Sequence, residues 1–366
     1  MSSSFVKGLE LSRRFFREVV KGIIKQYFPS LKYDAALLGP GSEVLGFDDQ
    51  TSTDHHWGPR VQLFLTELDY MKYSDEIKAE LSKNLPYMFL GYSTNWSEPE
   101  FEDRHRIPVQ FLIPITSGPI NHRVETYCLT SYLKDHLDIN SINLSESEWL
   151  VLSEQKLLEF TSGEIFWNKL GELSQARRAL SYFPNNVWIF KLLAEWDHIA
   201  EEIAFVGRVG SIGDDLGSQI EATRLVEHII QLTFLLHKKY MPYPKWRTIA
   251  FSQLPTGKEL KPILVKILKE SNWRNKERFL CDAYLKLLLK QNSLQITPKI
   301  TIKPDKFHSR DQLVINVNKI TNELRKLLKP PLTKIKYPTG SIDHFIDDTH
   351  ILTDLKFAKK IQTLFK

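Results

Sequence analysis

The chain has 366 residues, of which 42% are apolar and 25% are charged, and its formal net charge is +5. This composition is that of an ordinary globular protein, and the length suffices for two domains of roughly 100–200 residues each. The small positive charge is not in itself typical of a nucleic-acid-binding protein. Since no run of 18 apolar residues occurs, the sequence predicts no membrane-spanning helix and no membrane partner.

The N-terminus and the cysteines bear on the compartment in which the protein works. The segment that ends with Phe5, Val6 and Lys7 lacks the basic and apolar regions of a secretory signal. Cys128 and Cys281 are the only cysteines, and they lie far apart in sequence among apolar neighbours. This pattern predicts buried thiols in a reducing compartment. We therefore expect a cytoplasmic protein without a thiolate zinc site.

The first part of the chain alternates helical and strand-like patterns. Apolar residues recur at helical spacing before Pro29, and Ser74 has the side chain of a helix N-cap, with Asp75 and Glu76 in the first turn. Short apolar runs bounded by turn residues indicate strands. The predicted elements are a helix at 5–27, strands at 33–39 and 60–66, a helix at 74–84, a loop at 92–108, and strands at 109–115 and 123–128. Strands interleaved with helices are typical of an α/β sheet.

After the last predicted strand the pattern turns helical. Apolar stripes at 188–206 and 225–236 predict two long helices, and the glycine-containing joint at 207–213 predicts an antiparallel pair inside a bundle. Further helices are predicted at 257–270, 275–291, 310–328 and 350–364, with a loop at 329–349. The predicted fold is therefore α+β or α/β. A small mixed sheet of about four or five strands with flanking helices occupies 1–140, and a mostly helical bundle domain follows at 141–366.

The segment between Gly39 and Gly58 carries residues suited to phosphoryl chemistry. A turn with free main-chain N–H groups can hold a nucleotide phosphate, and here Gly41 and Ser42 follow a predicted strand. Clustered carboxylates can hold metal ions that neutralise the charge developing on phosphorus. The candidates are the acids that follow the turn and one acid on a later strand: Asp48, Asp49, Asp54 and Glu125.

At these residues the sequence resembles the nucleotidyltransferase superfamily. Its signature is a Gly-Ser turn after a strand, an Asp-x-Asp pair about a dozen residues later, and a third acid on a later strand. The turn, Asp54 and Glu125 match this signature. The resemblance implies a nucleotidyltransferase-like fold, a nucleoside triphosphate as donor, and Mg²⁺ or Mn²⁺ held by Asp54 and Glu125, with Asp48 or Asp49 in support. It also implies transfer of a nucleoside monophosphate to a hydroxyl acceptor, for which a small molecule, a protein and RNA all stay open.

The resemblance is closer to one bacterial family of unknown function. Its pattern reads Gly-Ser-Glu-x-x-Gly-Phe-Asp-Asp, then Ser-x-Asp-His-Asp, then an aromatic residue and Gly. The matching residues are Ser42-Glu43, Gly46-Phe47-Asp48-Asp49, Ser52, Asp54-His55 and Trp57-Gly58. Further matches at 205–210, 213–218 and 240–246 extend the resemblance over roughly residues 8–255.

One position departs from this pattern, since His56 stands where the family has an acid. Neutral imidazole is a poor ligand for Mg²⁺, which prefers hard oxygen atoms. Three outcomes stay open: Asp48 or Asp49 substitutes as a ligand, His56 favours a softer metal such as Mn²⁺, or catalysis is lost while nucleotide binding survives. The first two describe an enzyme, and the third describes a catalytically impaired nucleotide-binding or regulatory protein.

The helical half offers a second set of charged residues near the joint between its long helices. In antibiotic-modifying nucleotidyltransferases, an acid of the helical domain activates the acceptor hydroxyl. By that analogy Asp215 is the candidate general base, with Glu202 and Asp214 as alternatives. Arg208 and Lys245 are candidates for phosphate binding, and we expect them to face the same cleft as the residues of the Gly-Ser turn.

Each of these residues also has a structural interpretation. Asp at a helix start is explained by capping, and Arg208 by an ion pair with a nearby acid. Paired Asp residues usually cap helices or lie in solvent, and Glu125 is compatible with a strand face in water. His55 and His56 are compatible with a hydrogen-bonded surface pair. The lysine-rich stretch at 258–366 leaves RNA binding as a weaker alternative.

Overall fold

A computed structural model of the chain describes residues 5–101 and 108–365. These residues form two compact units. The first unit is drawn from residues 1–143 and 156–181, and the second from residues 144–155 and 182–366.

The strands of the described residues are short, and most of them belong to the first unit. In chain order they are β1 (Asp34–Leu37), β2 (Arg60–Leu65), β3 (Met88–Phe89), β4 (Tyr92–Ser93), β5 (Glu100–Phe101), β6 (Pro108–Val109), β7 (Arg123–Cys128), β8 (Glu164–Asn168), β9 (Asp305–Lys306) and β10 (Leu313–Val314).

Helices dominate the second unit and flank the sheet of the first. In chain order they are α1 (Gly8–Phe15), α2 (Lys21–Tyr27), α3 (Ser42–Leu45), α4 (Glu67–Asn84), α5 (Leu129–Leu137), α6 (Glu146–Trp149), α7 (Glu154–Thr161), α8 (Glu172–Ala179), α9 (Asn185–Glu202), α10 (Phe205–Gly210), α11 (Asp215–Leu236), α12 (Pro244–Phe251), α13 (Pro255–Lys269), α14 (Trp273–Ser293), α15 (Asn318–Arg325), α16 (Thr349–Thr353) and α17 (Leu355–Ala358). A π-helical turn, Phe16–Val20, joins α1 to α2.

A four-stranded mixed sheet organises the first unit. Its strand order is β7-β2-β1-β8, with β2 and β7 parallel and β1 antiparallel to both β2 and β8. All residues of β1 and β2 are buried. The predicted small mixed sheet with flanking helices is thus confirmed, and so are the strands predicted at 33–39, 60–66 and 123–128.

The fourth strand, β8, lies where the sequence predicted only helices, so that prediction is wrong for residues 164–168. The strand follows Gly163, whose φ is +69°. A Cβ atom on Gly163 would lie 2.0 Å from the carbonyl oxygen of Leu37. Glycine therefore permits the close approach with which this short apolar segment joins the sheet beside β1.

Two elements of the first unit differ from their predicted extents. Helix α4 begins at Glu67 rather than at Ser74, because the side chain of Thr66 accepts a hydrogen bond of 3.1 Å from the main-chain N–H of Asp69 and caps the helix earlier. The strand predicted at 109–115 is reduced to the end of β6 and one isolated bridge at Leu112. Pro114 lacks the N–H group that a longer ladder would need.

Two elements of the second unit are also shorter than predicted. Within the segment predicted as a helix at 310–328, β10 pairs with β9, and only α15 is helical. The helix predicted at 350–364 is divided into α16, α17 and a 3-10 segment, Lys359–Phe365. Asp354 starts α17, since its side chain accepts a 3.1 Å hydrogen bond from the main-chain N–H of Phe357.

The long helices of the second unit are confirmed. The apolar stripes predicted at 188–206 and 225–236 fall on α9 and α11, which are joined through α10. The fully buried Leu192, Trp196 and Ile199 of α9 and Leu225 and Ile229 of α11 belong to the core of this unit.

The predicted character of the two cysteines is confirmed as well. Cys128 in β7 and Cys281 in α14 are free thiols, and both are buried. Among residues 5–101 and 108–365, no helix has the length and apolar character that crossing a membrane requires.

Candidate functional site

The end of β1 and the beginnings of β2 and β7 lie at the same edge of the sheet. Ala36 in β1 stands opposite Gln62 in the antiparallel β2, and Arg60 in β2 stands opposite Arg123 in the parallel β7. The turn that follows β1 therefore lies beside the first residues of β2 and β7. This topology brings the Gly-Ser turn, the segment before β2 and the first residues of β7 to one edge, which we call the sheet edge.

The turn at the sheet edge requires glycine at position 41. Gly41 has a φ of +146° and immediately precedes Ser42, the first residue of α3. A Cβ atom at position 41 would lie 2.5 Å from Oε2 of Glu43 and 2.8 Å from Nη2 of Arg60. Both the backbone conformation and the space thus exclude a larger residue. The sequence predicted this turn as a phosphate-binding element, which stays a prediction.

A buried ion pair attaches the turn to β2. The guanidinium group of Arg60 donates to the carboxylate of Glu43, and both side chains are buried. Nη2 of Arg60 also donates to the carbonyl oxygen of Pro40 at 3.1 Å. Glu43 belongs to the predicted motif without an assigned role, and Arg60 is not among the predicted site residues. Their contact shows that both hold the turn against the strand.

Asp48 and Asp49 both have structural partners. Oδ2 of Asp48 accepts hydrogen bonds from the main-chain N–H of Gly8 at 2.7 Å and from Nε1 of Trp57 at 3.2 Å, in a fully buried position. Asp49 caps the 3-10 turn Gln50–Asp54. Hydrogen bonds from the side chain and main chain of Thr51 lower the pKa of Asp49. Both carboxylates are therefore engaged in fixing the chain before β2.

Asp54 and the two histidines after it form the end of that segment. The side chain of Asp54 is 65% exposed, and its Oδ1 atom lies 3.0 Å from Nδ1 of His55. His56 has a positive φ of +54°, and its main-chain N–H donates to the carbonyl oxygen of Gln110 at 2.9 Å. Nη1 of Arg123 lies 3.4 Å from Nδ1 of His56. Since a guanidinium group only donates, Nδ1 of His56 is the acceptor in this contact.

Arg123 also approaches Glu125, the acid on β7. The distance from Nη2 of Arg123 to Oε1 of Glu125 is 3.8 Å, and the Glu125 side chain is 37% exposed. The Arg123 guanidinium lies 5.0 Å from the ring centroid of Trp96. Burial lowers the pKa of Arg123, and the charge of nearby Arg60 lowers it further. The sheet edge thus combines the buried cation of Arg60, the half-buried cation of Arg123 and one accessible carboxylate on β7.

The predicted metal ligands do not form a compact group in this conformation. Across the described residues, the set of three or more His, Cys, Asp or Glu side chains whose ligand atoms lie within 4.8 Å of one another is Glu195, His198 and His228. It includes none of the five ligands predicted from the sequence, which are Asp48, Asp49, Asp54, His56 and Glu125. Their role at a metal stays a prediction.

The predicted residues of the helical half are mostly exposed. Asp214 caps α11 by accepting a 2.8 Å hydrogen bond from the main-chain N–H of Gly217, and Asp215 is exposed in the first turn of that helix. Arg208 lies over the ring of Phe205, at 5.5 Å from its centroid. Lys245 is exposed and lies 4.9 Å from the ring of Trp246. That Asp215, Arg208 and Lys245 face the sheet edge stays a prediction.

Glu202, an alternative base, is already paired. Its carboxylate accepts from the guanidinium group of Arg224, and its Oε2 atom lies 3.7 Å from Nε2 of His228. The ion pair raises the pKa of Arg224. Glu202 thus belongs to a polar cluster inside the second unit.

This cluster, which sequence reasoning missed, continues to a buried lysine. Nζ of Lys191 lies 2.9 Å from Oε1 of Glu154, and both side chains are at most 2% exposed. Lys191 also donates to Oγ of Ser341. Burial raises the pKa of the nearby Asp343 to about 7. The only signal in the sequence was a Glu-x-x-His spacing at Glu195, which places two polar side chains on one face of an otherwise apolar helix.

A cavity of about 300 Å³ adjoins the cluster, and its lining includes Arg224, His228, Gln231, Arg247, Asp343 and His344. All of these residues belong to the second unit. Ionisable side chains with shifted pKa values beside a cavity are frequent at functional sites.

Comparisons with known proteins give one family and one solved structure. Residues 149–247 match the family described as "Domain of unknown function (DUF4037)", and this stretch contains the motif segments at 205–210, 213–218 and 240–246. The predicted resemblance to a family of unknown function is confirmed there. The crystal structure of a nucleotidyltransferase-like protein from Exiguobacterium sibiricum 255-15 is similar with a TM-score of 0.31 and 10% identity, over 87% of this chain and 89% of that chain. No curated protein shows a significant match.

Proposed function

We propose that this protein is a nucleotidyltransferase that transfers a nucleoside monophosphate from a nucleoside triphosphate to a hydroxyl group. One observation carries the proposal. The end of β1 and the beginnings of β2 and β7 share one sheet edge, and the Gly41-Ser42 turn, the segment that contains Asp54, and Glu125 each adjoin one of these strand ends in the sequence.

The donor set at this edge fits a hard divalent cation, Mg²⁺ or Mn²⁺. Asp54 and Glu125 present accessible carboxylates, and carboxylate oxygens are the ligands that these ions prefer. Asp48 and Asp49 already accept hydrogen bonds from neighbouring groups, so the proposal depends on the other two acids. The bound ion would neutralise the charge that develops on the transferred phosphoryl group. The imidazole of His56 favours Mn²⁺ over Mg²⁺.

The arginine side chains of this edge supply positive charge for the phosphates of the donor nucleotide. Arg123 is held by contacts to Trp96, His56 and Glu125, and a guanidinium group with free N–H donors can bind phosphate oxygens. Glycine at position 41 allows the turn its conformation, and the main-chain N–H groups of such a turn can bind a phosphate. Arg60 acts indirectly, because its ion pair with Glu43 fixes the turn.

The acceptor hydroxyl requires a base. We assign this role to Asp215, whose carboxylate is exposed at the start of α11. Arg208 and Lys245, both exposed cations of the second unit, are assigned to the phosphates of the donor. The acceptor classes to compare are a small hydroxyl compound, a protein hydroxyl and an RNA end.

A second candidate function is nucleotide binding without turnover, and one contact favours it. Nη1 of Arg123 lies 3.4 Å from Nδ1 of His56, so a protein cation stands beside the position at which the family pattern has an acid. A guanidinium group in that place can bind phosphate without a metal ion.

Incubation with α-labelled ATP, GTP, CTP and UTP, with Mg²⁺ and then Mn²⁺, tests the proposal. Label is followed into small molecules, protein and RNA, and nucleotide binding is measured separately by calorimetry. Transfer that disappears in Asp54→Asn and Glu125→Gln but persists in Asp75→Asn, which changes an exposed acid of α4, supports the enzyme. Binding without transfer supports the second candidate. A protein that neither binds nor transfers nucleotide contradicts both.

A further inference from the structure

Three potential metal ligands meet between two helices of the second unit, far along the chain from the sheet-edge residues. Glu195 and His198 are three residues apart on α9 and therefore share one face of that helix. His228 comes from α11. One ligand atom from each of the three lies within 4.8 Å of the other two. Two imidazoles and one carboxylate form a common ligand set for zinc and other transition metals.

The cluster contains buried polar atoms that have no hydrogen bond in the part of the chain that the structure describes. They are Oε2 of Glu195, Nδ1 of His198 and Nε2 of His344. Glu195 is 0% exposed, and a buried carboxylate is stabilised only by a cation or by several hydrogen bonds. A metal ion among the ligand atoms would satisfy both the carboxylate and the free imidazole nitrogen.

The surroundings match those of a metal site beyond the ligands themselves. Nδ1 of His228 donates a 2.7 Å hydrogen bond to Oε1 of Glu195, which a bound metal ion would replace, while its Nε2 atom lies 3.7 Å from Oε2 of Glu202. A histidine that coordinates through one nitrogen and donates the other N–H toward a carboxylate is a recurrent arrangement around zinc.

His344 supports the carboxylate of Glu195 from the other side. Nδ1 of His344 accepts a 3.1 Å hydrogen bond from the main-chain N–H of Ser341. Its Nε2 atom therefore carries the proton in the neutral ring and lies 3.4 Å from Oε2 of Glu195, without forming a hydrogen bond to it. Glu195 and His228 thus belong to a wider polar network, whereas Nδ1 of His198 has no hydrogen bond among the described residues.

The cavity described above gives the site an opening. His228 and His344 are among its lining residues, together with Arg224 and Arg247. With three protein ligands, a metal ion keeps a coordination position for water or for an oxygen of a ligand that enters the cavity. The two arginines favour an anionic oxygen ligand there.

We infer that Glu195, His198 and His228 bind a divalent transition-metal ion, with zinc as the expected occupant, beside this cavity, which His228 lines. The site is separate from the Mg²⁺ or Mn²⁺ ion proposed at the sheet edge, because its imidazole nitrogens select a softer ion. The competing explanation is an ion-pair network in which protonated histidines alone neutralise Glu195.

The full-length chain, stripped of metal with a chelator, is titrated with zinc in competition with a chromophoric chelator, and separately with Mg²⁺ and Co²⁺. We expect one equivalent of zinc to bind and to raise the unfolding temperature. An excess of Mg²⁺ should displace little of the bound zinc. Co²⁺ in the same site should give the visible absorption of a nitrogen- and oxygen-coordinated ion.

Variants separate a metal site from an ion-pair network. His198→Asn removes a ring nitrogen that has no hydrogen bond, so it should fold and still lose about 10- to 100-fold or more in zinc affinity. His228→Asn should do the same. The control is His237→Asn, whose histidine lies at the end of the same helix α11 and contacts Thr256 at 2.9 Å. It should bind zinc as the wild type does.

Two results would overturn the inference. One is a wild-type chain that binds no zinc after removal of metal, and the other is a His198→Asn variant that binds zinc as tightly as the wild type. Asp54→Asn, which damages the proposed sheet-edge site, should leave zinc binding unchanged. The two proposals can therefore fail independently.

Discussion

Arg60 at the beginning of β2 forms an ion pair with Glu43 in α3, and only 7% and 3% of the two side chains are exposed. Removing one partner leaves a buried, unpaired charge, which costs about 3–5 kcal/mol. We therefore expect Glu43→Ala to reduce the free energy of unfolding by that order, as measured by urea denaturation. The turn that the pair holds should loosen as well, so hydrogen exchange should become faster at Val44, whose main-chain N–H donates to the carbonyl oxygen of Gly41 at 3.2 Å.

An exposed ion pair in the same unit provides the control. Arg14 and Glu18 are four residues apart on a helix, and their side chains are 40% and 48% exposed. Solvent screens such a pair. Glu18→Gln should therefore leave the unfolding midpoint within experimental error. Equal losses in the free energy of unfolding for Glu43→Ala and Glu18→Gln would mean that the buried ion pair stabilises the protein no more than the exposed one.

Two glycines should respond to alanine in opposite directions. Gly163→Ala places a Cβ atom 2.0 Å from the carbonyl oxygen of Leu37 at a φ of +69°, so we expect a loss of more than about 1 kcal/mol. Gly22→Ala lies inside α2, where no atom comes within 4 Å of the added Cβ. It should stabilise the protein by about 0.5–1 kcal/mol. Thermal unfolding of the two variants tests the difference in sign, and a stabilised Gly163→Ala would contradict the account of β8.

The strands that the sequence predicts well are those whose burial can be recognised from the strand residues and their immediate neighbours in the sequence. The runs that form β1 and β2 are bounded by turn residues and fully buried, which is the pattern of a central strand. β8 gives no such pattern, because the local sequence of Gly163 and the short apolar run Ile165 to Trp167 is equally compatible with a turn between two helices. This segment forms a strand because it pairs with β1 near Leu37, which is more than a hundred residues away in sequence.

The same distinction applies to the site. The positions of Asp54 before β2 and of Glu125 within β7 follow from local patterns, and a metal ion shared by their carboxylates stays a prediction. The sequence does not predict that Asp48 is fully buried and accepts from Gly8 at 2.7 Å, since that contact joins distant segments. The cluster around Glu195 was hidden for a related reason. A buried acid on an apolar helix has no distinguishing periodicity of its own.

Glu277 in α14 should make stability depend on pH. The side chain is 2% exposed, and burial raises its pKa from 4.5 to about 7. The folded state therefore keeps a proton that the unfolded state loses above pH 4.5. The stabilisation from this group is complete below about pH 4.5 and is lost as the pH rises through about 7, by at most about 3 kcal/mol.

Glu277→Gln, which stays neutral, should abolish that dependence. The difference between its free energy of unfolding and that of the wild type should be smallest near pH 4 and should shift in favour of the folded variant toward pH 8, as measured by urea denaturation across the range. In Glu259→Gln, whose carboxylate is 63% exposed beside Lys286, the curve should run parallel to that of the wild type. A constant difference between Glu277→Gln and the wild type at every pH would show that Glu277 is ionised in the folded protein.

The last prediction concerns His56, the position that departs from the family pattern. Its φ of +54° is one that Asp adopts more readily than most residues. In His56→Asp the new carboxylate would lie near Arg123, two residues after Asp54 in the chain. It would add a hard oxygen ligand. We expect Mg²⁺ affinity in the presence of nucleotide to rise roughly tenfold, or about 1.4 kcal/mol, by calorimetry, and transfer with Mg²⁺ to rise with it.

His55→Asp is the matched control for this change. It adds the same charge one residue earlier, at a half-exposed side chain that contacts Asp54 rather than Arg123, so a general electrostatic effect would raise Mg²⁺ affinity equally in both variants. A gain confined to His56→Asp assigns position 56 to the metal shell.

Tighter Mg²⁺ binding without transfer would favour the nucleotide-binding function, because the other catalytic parts would then be missing. A wild type active with Mn²⁺ that loses this activity in His56→Asp would make the histidine itself a ligand. Equal Mg²⁺ binding by wild type and His56→Asp would show that position 56 lies outside the metal shell, and that the match of Asp54 and His56 to the acid pair of the family pattern is wrong.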